Sequence, residues 1–519
     1  MGKKEAFAKA IIDGNTYKGP FITLGGALYE GEVPEGALVK VALRTMNRHG
    51  LIAGATGTGK TKTIQVIAEQ LSLAGVPTFL MDIKGDLSGL AAPGTDHPKI
   101  QERHAKLGFP YDIQALPVEL LTLSGEPGAR LRATVSEFGP VLLGRILELN
   151  DTQQGVLSLV FKYCDDNKLP LLDVKDLRKA LQFVNDEGKE EIRKEYGQVS
   201  SASVNTILRK LVEIEQQGAD RFFGERSFDV QDMLQLRDGK GVLHIVRLSD
   251  IQDRPRLFST FMLCLLAEIY NTFPEVGDAE KPKLVLFIDE AHLIFDSATK
   301  ALLDQIETIV KLIRSKGVGI YFCTQDPSDV PESVLGQLGL KVQHALRAFT
   351  AKDRRTIKRT AENYPLSDFY DTEKLLTSMG IGEAMVTALN EKGIPTPLAH
   401  TLLRAPVTRM DVLSDLEIKG LVAGSPLVAK YNEEIDRESA FELLSEKLER
   451  AEKVAEQEEE RDSPRKKGGR APKEEPSVLE KASKNTMVRQ VGRTVFRELA
   501  RGLLGVLGVK PTRSRTARR

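Results

Sequence analysis

Short apolar runs alternate with helical patterns along two parts of the chain. The runs are typical of buried strands, and they stand at 51–53 (LIA), 76–86 (VPTFLMDIKGD), 240–250 (KGVLHIVRLSD), 281–292 (KPKLVLFIDEAH), 317–327 (GVGIYFCTQDP) and 339–350 (GLKVQHALRAFT). Helical spacing of apolar residues fills 256–273 (RLFSTFMLCLLAEIYNTF) and 301–317 (ALLDQIETIVKLIRSKG). Strands that alternate with helices predict an α/β fold with a mainly parallel sheet and right-handed crossovers.

Other parts of the chain have a different texture. Residues 1–45 hold short apolar patches with turn residues, which predict a small N-terminal β segment. Residues 91–235 carry helical patterns separated by Pro and Gly, which indicates a helical insertion between the two halves of the core, 46–90 and 236–405. The stretch 383–403 is typical of a closing hairpin, and a C-terminal helical region follows at 406–460.

The end of the chain is patterned by charge. Residues 431–460 carry 12 acidic and 4 basic side chains, whereas residues 461–519 carry 17 basic and 5 acidic ones. The composition of 461–480 predicts a disordered linker. In 481–509 apolar residues recur at three- and four-residue steps, with arginine at every fourth position from Arg489 to Arg501. This pattern predicts a basic amphipathic helix.

Composition sets the class of protein. The 519 residues are 41% hydrophobic and 28% charged, and 73 basic residues balance 73 acidic ones. Global charge therefore says nothing about nucleic acid. The three cysteines lie far apart, which indicates neither a disulfide framework nor a zinc site and favours a cytoplasmic protein. The N-terminus lacks the apolar core of a signal peptide, and no run approaches the length of a membrane span.

A phosphate-binding loop of the Walker A type follows the apolar run 51–53. Its fixed positions match G-x-x-x-x-G-K-[ST], and the predicted nucleotide-binding residues are Gly54, Ala55, Thr56, Gly57, Thr58, Gly59, Lys60, Thr61 and Lys62. The glycines let backbone N–H groups point at phosphate oxygens, and Lys60 would reach the β- and γ-phosphates. The hydroxyl of Thr61 would bind Mg²⁺, and a helix that begins here would direct its dipole at the anion.

Two carboxylates follow the apolar run 284–288. Asp289 would hold Mg²⁺ through its water shell, and Glu290 would polarise the attacking water. They stand at the carboxyl end of a predicted strand, where ligands bind in open α/β sheets. The alternative is that these acids only cap the next helix.

Further polar residues extend the candidate site. Gln325 ends the next predicted strand and could contact the γ-phosphate or, alternatively, cap a turn. His292 could couple the site to substrate or could be structural. Arg347, Arg354 and Arg355 are candidates for a guanidinium that stabilises phosphoryl-transfer charge from a neighbouring subunit.

The ordered motifs GATGTGKT, DIKGD, LFIDEAH and FCTQDP resemble the HerA–FtsK division of P-loop ATPases, above all its bacterial HerA-like branch. The resemblance covers about residues 15–405. It implies a RecA-like sheet, a hexameric ring, ATP hydrolysis at subunit interfaces and DNA translocation. It also implies that Lys60 and Thr61 bind nucleotide and Mg²⁺, that Asp289 and Glu290 form the acidic motif, and that Gln325 is the sensor. KDRRTIKR resembles the segment that carries a trans arginine, with Arg355 the better match and Arg347 the other candidate.

Two function classes stay open from the sequence. The first is an oligomeric ATPase motor on double-stranded DNA. The second is a nucleotide-dependent scaffold that acts on a protein or membrane partner. A helicase of superfamily two is disfavoured because no second helicase domain follows DEAH, and a small-molecule kinase is disfavoured because Glu290 stands beside Asp289. The basic helix 481–509 could dock on the ATPase, lie on an anionic membrane or hold DNA; we favour docking, with the acidic segment 431–460 as partner.

Overall fold

The computed structural model describes residues 2–250, 254–277, 279–295, 300–435 and 437–462. These residues form two compact units, one of residues 2–131 and 228–432 and the other of residues 132–227 and 433–462. The linker beyond Asp462 and the basic helix predicted at 481–509 lie outside the described residues. Within the described part, no helix combines the length and the apolar character needed to cross a membrane.

A twelve-stranded sheet organises the described part of the first unit. Its strands in chain order are β1 (Phe21–Ala27), β2 (Leu38–Ala42), β3 (Gly50–Ala53), β4 (Thr78–Asp82), β5 (Val118–Thr122), β6 (Ala129–Arg130), β9 (Leu243–Arg247), β10 (Leu284–Ile288), β11 (Val318–Thr324), β12 (Leu340–Gln343), β13 (Glu383–Thr387) and β14 (Ala399–Leu403). A separate two-stranded ladder joins β7 (Leu236–Arg237) and β8 (Lys240–Gly241). The spatial order is β2-β1-β14-β13-β12-β3-β11-β10-β4-β9-β5-β6.

Eight neighbouring strands of this sheet, from β12 to β6, run parallel. The other four, β13, β14, β1 and β2, join them as antiparallel strands. The central strands are fully buried apolar runs, as expected where helices cover both faces of a parallel sheet. The predicted α/β fold with a mainly parallel sheet is therefore confirmed, and the hairpin predicted at 383–403 is the pair β13 and β14.

Helices of the first unit pack around the sheet. They are α1 (Lys3–Gly14), α2 (Lys60–Leu73), α3 (Pro98–Leu107), α10 (Pro255–Thr272), α11 (His292–Phe295), α12 (Lys300–Ile313), α13 (Glu332–Leu335), α14 (Ala351–Glu362), α15 (Thr372–Ser378), α16 (Asp415–Ala423) and α17 (Pro426–Tyr431). One buried cluster joins Phe7 and Ile11 of α1 to apolar residues of β1, β3, β10 and α2. The N-terminal segment, predicted as strands alone, thus also contributes a helix and extends the main sheet.

The second unit is helical. Its helices are α4 (Val135–Ile146), α5 (Asp151–Asp166), α6 (Val174–Asn185), α7 (Lys189–Glu195), α8 (Ser201–Gln216), α9 (Ala219–Phe222) and α18 (Ala440–Asp462). Helix α18 packs on α6, where the amide of Phe441 donates to the Asp176 carboxylate at 2.9 Å. The sequence places the helical insertion at 91–235, whereas this unit begins only at Arg132 because 118–122 forms the buried strand β5 of the main sheet.

Candidate nucleotide-binding site

The loop between β3 and α2 has the backbone geometry of a phosphate cradle. β3 lies between β11 and β12 in the sheet, and α2 begins at Lys60, directly after the glycine-rich loop. Gly57 has φ 79° and Gly59 has φ 114°, in the left-handed region that favours glycine. The start of α2 leaves backbone N–H groups without partners inside the helix, and its dipole favours an anion there.

Lys60 lies within the curl of this loop. Its side chain is buried, and its Nζ donates to the carbonyl oxygens of Gly54 at 2.7 Å and Ala55 at 3.3 Å. Burial, followed by the charge of Lys84, lowers the pKa of Lys60. The ammonium is thus held within the loop by two of the loop's own carbonyl oxygens.

The next two residues of α2 differ in their surroundings. Thr61 is partly exposed in the first turn of α2. Lys62 lies along the helix, where its Nζ donates to Gln65 Oε1 at 3.0 Å and to the carbonyl of Met410. Lys62 thus joins α2 to the chain segment at Met410, whereas Thr61 stands directly after Lys60 at the position of the predicted Mg²⁺ ligand.

The acidic pair lies at the carboxyl end of β10, two strands from β3. Asp289 and Glu290 are both about 95% buried. Glu290 has φ 47°, an uncommon conformation for a residue with a side chain and one that clusters at functional sites. Burial, together with the adjacent charge of Glu290, raises the pKa of Asp289 to about 6. Two buried carboxylates side by side are a site that a cation stabilises.

Lys84 and His292 flank Glu290. The Lys84 ammonium forms an ion pair with Oε1 of Glu290, and Nδ1 of His292 lies 3.3 Å from Oε2. Burial opposes the charge of Lys84, but its hydrogen bond to Glu290 and the neighbouring carboxylates outweigh burial and raise its pKa. Lys84 was not predicted as a site residue, although it stands in DIKGD two residues after β4, the strand beside β10.

Gln325 follows β11, the strand between β3 and β10. The hydroxyl of Thr56 in the phosphate loop donates to its Oε1 at 3.4 Å. The turn that follows is capped instead by Asp326, whose carboxylate accepts from the amide of Ser328 at 2.9 Å. Gln325 therefore lies at the rim of the loop, with its side chain not used as the cap.

His344 packs against the first residue of the phosphate loop, and the sequence did not predict this residue as part of the site. Its Nε2 lies 2.9 Å from Oγ1 of Thr63, and a Cβ on Gly54 would come within 2.5 Å of the His344 Cβ. The amide of Ala55 also donates to the carbonyl of Ala345 at 2.9 Å. Burial, followed by the charge of Lys60, lowers the pKa of His344 to about 4, so the ring is neutral.

The candidate arginines lie at the surface. Arg347 is exposed in the segment after β12, and Arg354 and Arg355 are exposed on α14. Lys60 and Glu290, in contrast, are buried. The surface position of these guanidinium groups makes them accessible to a second molecule.

These residues fit a nucleoside triphosphate with Mg²⁺. The loop offers amides, a buried ammonium and a helix N-terminus to phosphates, and the buried Asp289 and Glu290 carboxylates lie on the same edge of the sheet. Mg²⁺ commonly binds through one or two carboxylates together with substrate phosphates, so a single hydroxyl and Asp289 suffice as protein ligands.

Comparison with known proteins places the chain in a family. The family described as helicase HerA-like C-terminal matches residues 29–512. The DNA double-strand break repair helicase HerA of Sulfolobus acidocaldarius is 23% identical over 366 residues, which cover 69% of this chain and 66% of that protein. The protein of the same description from Saccharolobus solfataricus is 20% identical over 387 residues, again 69% of this chain and 66% of that protein. The chain thus spans slightly less than two thirds of the length of these relatives.

Solved structures show weaker similarity. The bacterial conjugative coupling protein TrwBdeltaN70 has a TM-score of 0.49 at 14% identity and covers 79% of this chain and 94% of its own. VirB4 of Thermoanaerobacter pseudethanolicus has a TM-score of 0.48 at 17% identity and covers 75% of this chain and 98% of its own. Because the family match extends over residues 29–512, the chain belongs to the helicase HerA-like C-terminal family of P-loop ATPases.

Proposed function

We propose that the protein is an ATP-hydrolysing motor that assembles as a ring, of six subunits by family resemblance, and acts on double-stranded DNA. The observation that carries the proposal is the buried Asp289–Glu290 pair at the edge of β10, beside the strand that leads to Gln325 and two strands from the phosphate loop. A loop that only binds nucleotide needs no buried carboxylate that can take a proton from water. The pair therefore favours hydrolysis over simple binding.

Each residue of the site has a stated task in this reaction. In this proposal the loop amides and Lys60 hold the β- and γ-phosphates, and Gln325 contacts the γ-phosphate. The 3.4 Å contact between Gln325 and Thr56 of the loop supports the role of Gln325. Glu290 orients a water and accepts its proton while the water oxygen bonds to the γ-phosphorus and the bond to the β–γ bridging oxygen breaks, which leaves ADP and phosphate. Bound Mg²⁺, held by Thr61 and Asp289, would neutralise charge on the phosphate oxygens.

A ring would complete the site with a guanidinium from a neighbouring subunit. Arg347 and Arg355 are exposed and not engaged at the buried acidic pair of their own chain, which supports a role on another copy. Phe349, between them in sequence, is 82% exposed. Phenylalanine and arginine are both enriched at protein interfaces relative to the rest of the surface.

DNA is supported as the partner by the relatives, which are described as DNA double-strand break repair helicases. We expect ATP hydrolysis to depend on Mg²⁺ and to accelerate with duplex DNA. The acceleration should decline steeply as salt rises, because phosphate contacts release counterions. An ATPase rate that duplex DNA does not change at any salt concentration would contradict the proposal that the motor acts on DNA. It would favour a nucleotide-dependent scaffold that acts on a protein or membrane partner.

The assignment of the base has its own test. The Glu290→Gln variant keeps the shape of the side chain but removes its basicity, so it should bind ATP as the wild type does and lose turnover. Lys60→Ala should instead weaken binding, because it removes the charge that faces the phosphates. Hydrolysis at the wild-type rate by Glu290→Gln would show that another group takes the proton.

A further inference from the structure

Lys84, which follows β4, forms an ion pair with Glu290, which follows the neighbouring strand β10. The side chain of Glu290 is 7% exposed and that of Lys84 is 37% exposed, so the ion pair extends from the buried carboxylate toward solvent. Oε1 contacts Lys84, whereas Oε2 lies 3.3 Å from Nδ1 of His292. The two oxygens of the proposed base therefore face different nitrogen atoms, and the contact with Lys84 is an ion pair.

The turn that carries Lys84 is itself anchored. The buried carboxylate of Asp82 accepts hydrogen bonds from the amides of Gly85 at 2.8 Å, Asp86 at 3.0 Å and Leu87 at 3.1 Å. Gly85 has φ 74°, which lets the chain reverse after Lys84. Three hydrogen bonds from one turn to one buried carboxylate restrict the position from which the lysine side chain extends.

We infer that Lys84 is a positioning residue for ATP hydrolysis, which holds the Glu290 carboxylate in the orientation that aligns the attacking water. The inference rests on the proposed function, because it gives Lys84 its role through Glu290. Lys84 acts on the chemical step and makes no required contact with the phosphates.

The electrostatics of the pocket explain why such a residue is needed. Glu290 is buried beside Asp289, a like charge that repels it and favours side-chain orientations that move the two carboxylates apart. An ammonium at Oε1 opposes this repulsion and restricts the side-chain torsions of the glutamate. Ionisable groups that interact electrostatically with this cluster come from several elements: Lys60, Asp86, His292 and Cys323. Of the two lysines, Lys60 is bonded to loop carbonyls, which leaves Lys84 as the cation on Glu290.

The experiment compares Lys84→Met and Lys84→Arg with the wild type. For Lys84→Met we expect kcat to fall roughly 10- to 100-fold, a part of the roughly 10²- to 10⁴-fold that a positioned base contributes. KM for ATP and the affinity for a fluorescent ATP analogue should change less than about twofold, because the phosphate contacts stay intact. Lys84→Arg should retain most of the activity, since a guanidinium can also pair with the carboxylate.

Two further variants separate positioning from a general structural effect. Adding Lys84→Met to Glu290→Gln should lower kcat no further than Glu290→Gln alone, because the lysine acts through the glutamate. Lys106→Met is the matched control: it breaks an exposed ion pair with Glu102 at 2.8 Å and should leave kcat unchanged. Thermal unfolding of each variant verifies that it is folded.

The outcomes distinguish this inference from the proposed function. If the wild type hydrolyses no ATP, the proposed function fails whatever Lys84 does. If the wild type is active and Lys84→Met has an unchanged or higher kcat, Lys84 does not position the base. If KM rises instead and kcat is retained, Lys84 binds phosphate, and the inference is again overturned.

Discussion

The Nε2 atom of His344 lies 2.9 Å from the Oγ1 atom of Thr63 and joins the exit of β12 to the first turn of α2. Both side chains are buried. Because His344 also packs against Gly54, the contact joins α2 to the residue at which the phosphate loop begins. We expect His344→Leu to lower the free energy of unfolding by about 1–3 kcal/mol, because it leaves a buried hydroxyl with one partner fewer. ATP affinity should also fall. Chemical denaturation and nucleotide titration measure the two effects.

The double variant His344→Leu with Thr63→Val is the control for this contact. Removing both polar groups should cost less than the sum of the two single changes, since neither is then left unpaired. Additive losses would mean that the two side chains do not interact.

Gly57, in the phosphate loop, and Gly108, after α3, are two glycines with similar positive φ, so Gly108 is a matched control for substitution of Gly57. They have φ 79° and φ 75°, and a Cβ on either would meet no atom within 4 Å. Alanine at either position should therefore cost a similar strain, about 1–2 kcal/mol of the free energy of unfolding. Only Gly57→Ala should also weaken ATP binding, because only Gly57 shapes the loop amides. Equal ATP affinities in the two variants would contradict the role of the loop.

The buried His49 should make the free energy of unfolding of the first unit depend on pH in the acid range. Its Nδ1 accepts from the amide of Ile320 at 3.0 Å, which requires the neutral ring, and its Nε2 donates to the carbonyl of Val310 at 2.8 Å. Burial, followed by the charge of Arg314, lowers its pKa from 6.5 to about 4. A folded-state pKa below the unfolded one contributes stability that is complete above pH 6.5 and is lost as the pH falls toward 4.

The size of this contribution is roughly 3 kcal/mol, from about 1.4 kcal/mol per unit of pKa. The His49→Asn variant does not titrate in this range, and the backbone strain at φ 60° and ψ 172° is common to histidine and asparagine. Its free energy of unfolding should be lower at pH 8 but should fall less between pH 6.5 and 4 than that of the wild type. Because other buried groups titrate equally in both proteins, parallel profiles would rule out His49 as a source of acid sensitivity.

Subunit complementation tests the ring. Arg355→Ala alone should hydrolyse ATP slowly, because each site lacks its guanidinium from the neighbour. Mixing it with Lys60→Ala should restore some activity, since a hybrid interface pairs an intact phosphate loop with an intact arginine. Arg193→Ala, at an exposed position on α7, serves as the control and should be fully active. A protein that stays monomeric with ATP at micromolar concentration and still hydrolyses it fully would refute the ring.

Deletion of residues 461–519 tests the basic segment, most of which lies outside the described residues. If the segment docks on the ATPase, as its +12 charge against −8 in 431–460 suggests, deletion should lower thermal stability or change assembly. If it binds a membrane or DNA, stability should persist while binding to anionic liposomes or duplex DNA falls. A deletion that alters none of these properties would assign the segment to another partner.

The sequence alone predicted those site residues that directly follow a recognisable strand or motif along the chain. An apolar run followed by Asp289 and Glu290 predicts a buried strand with acids at its carboxyl end, and the structure has this arrangement. Lys84 and His344 were missed because their importance depends on which strands become neighbours. β5 was missed because the buried Glu119 interrupts its apolar pattern, and the partner that neutralises it, Arg237, lies far along the chain. Such pairings exist only in the tertiary fold.

The pairing of β1 with β14 has a consequence for biosynthesis. Gly25 lies opposite Leu403, so the first strand of the sheet stays unpaired on that side until its partner has left the ribosome. At about 5–20 residues per second, the interval between the two is roughly 20–75 s. During that time the apolar residues of β1 and β2 are a target for chaperones or for strands of neighbouring nascent chains. Late closure of the sheet also predicts slow folding, since contacts this distant in sequence form after the local ones.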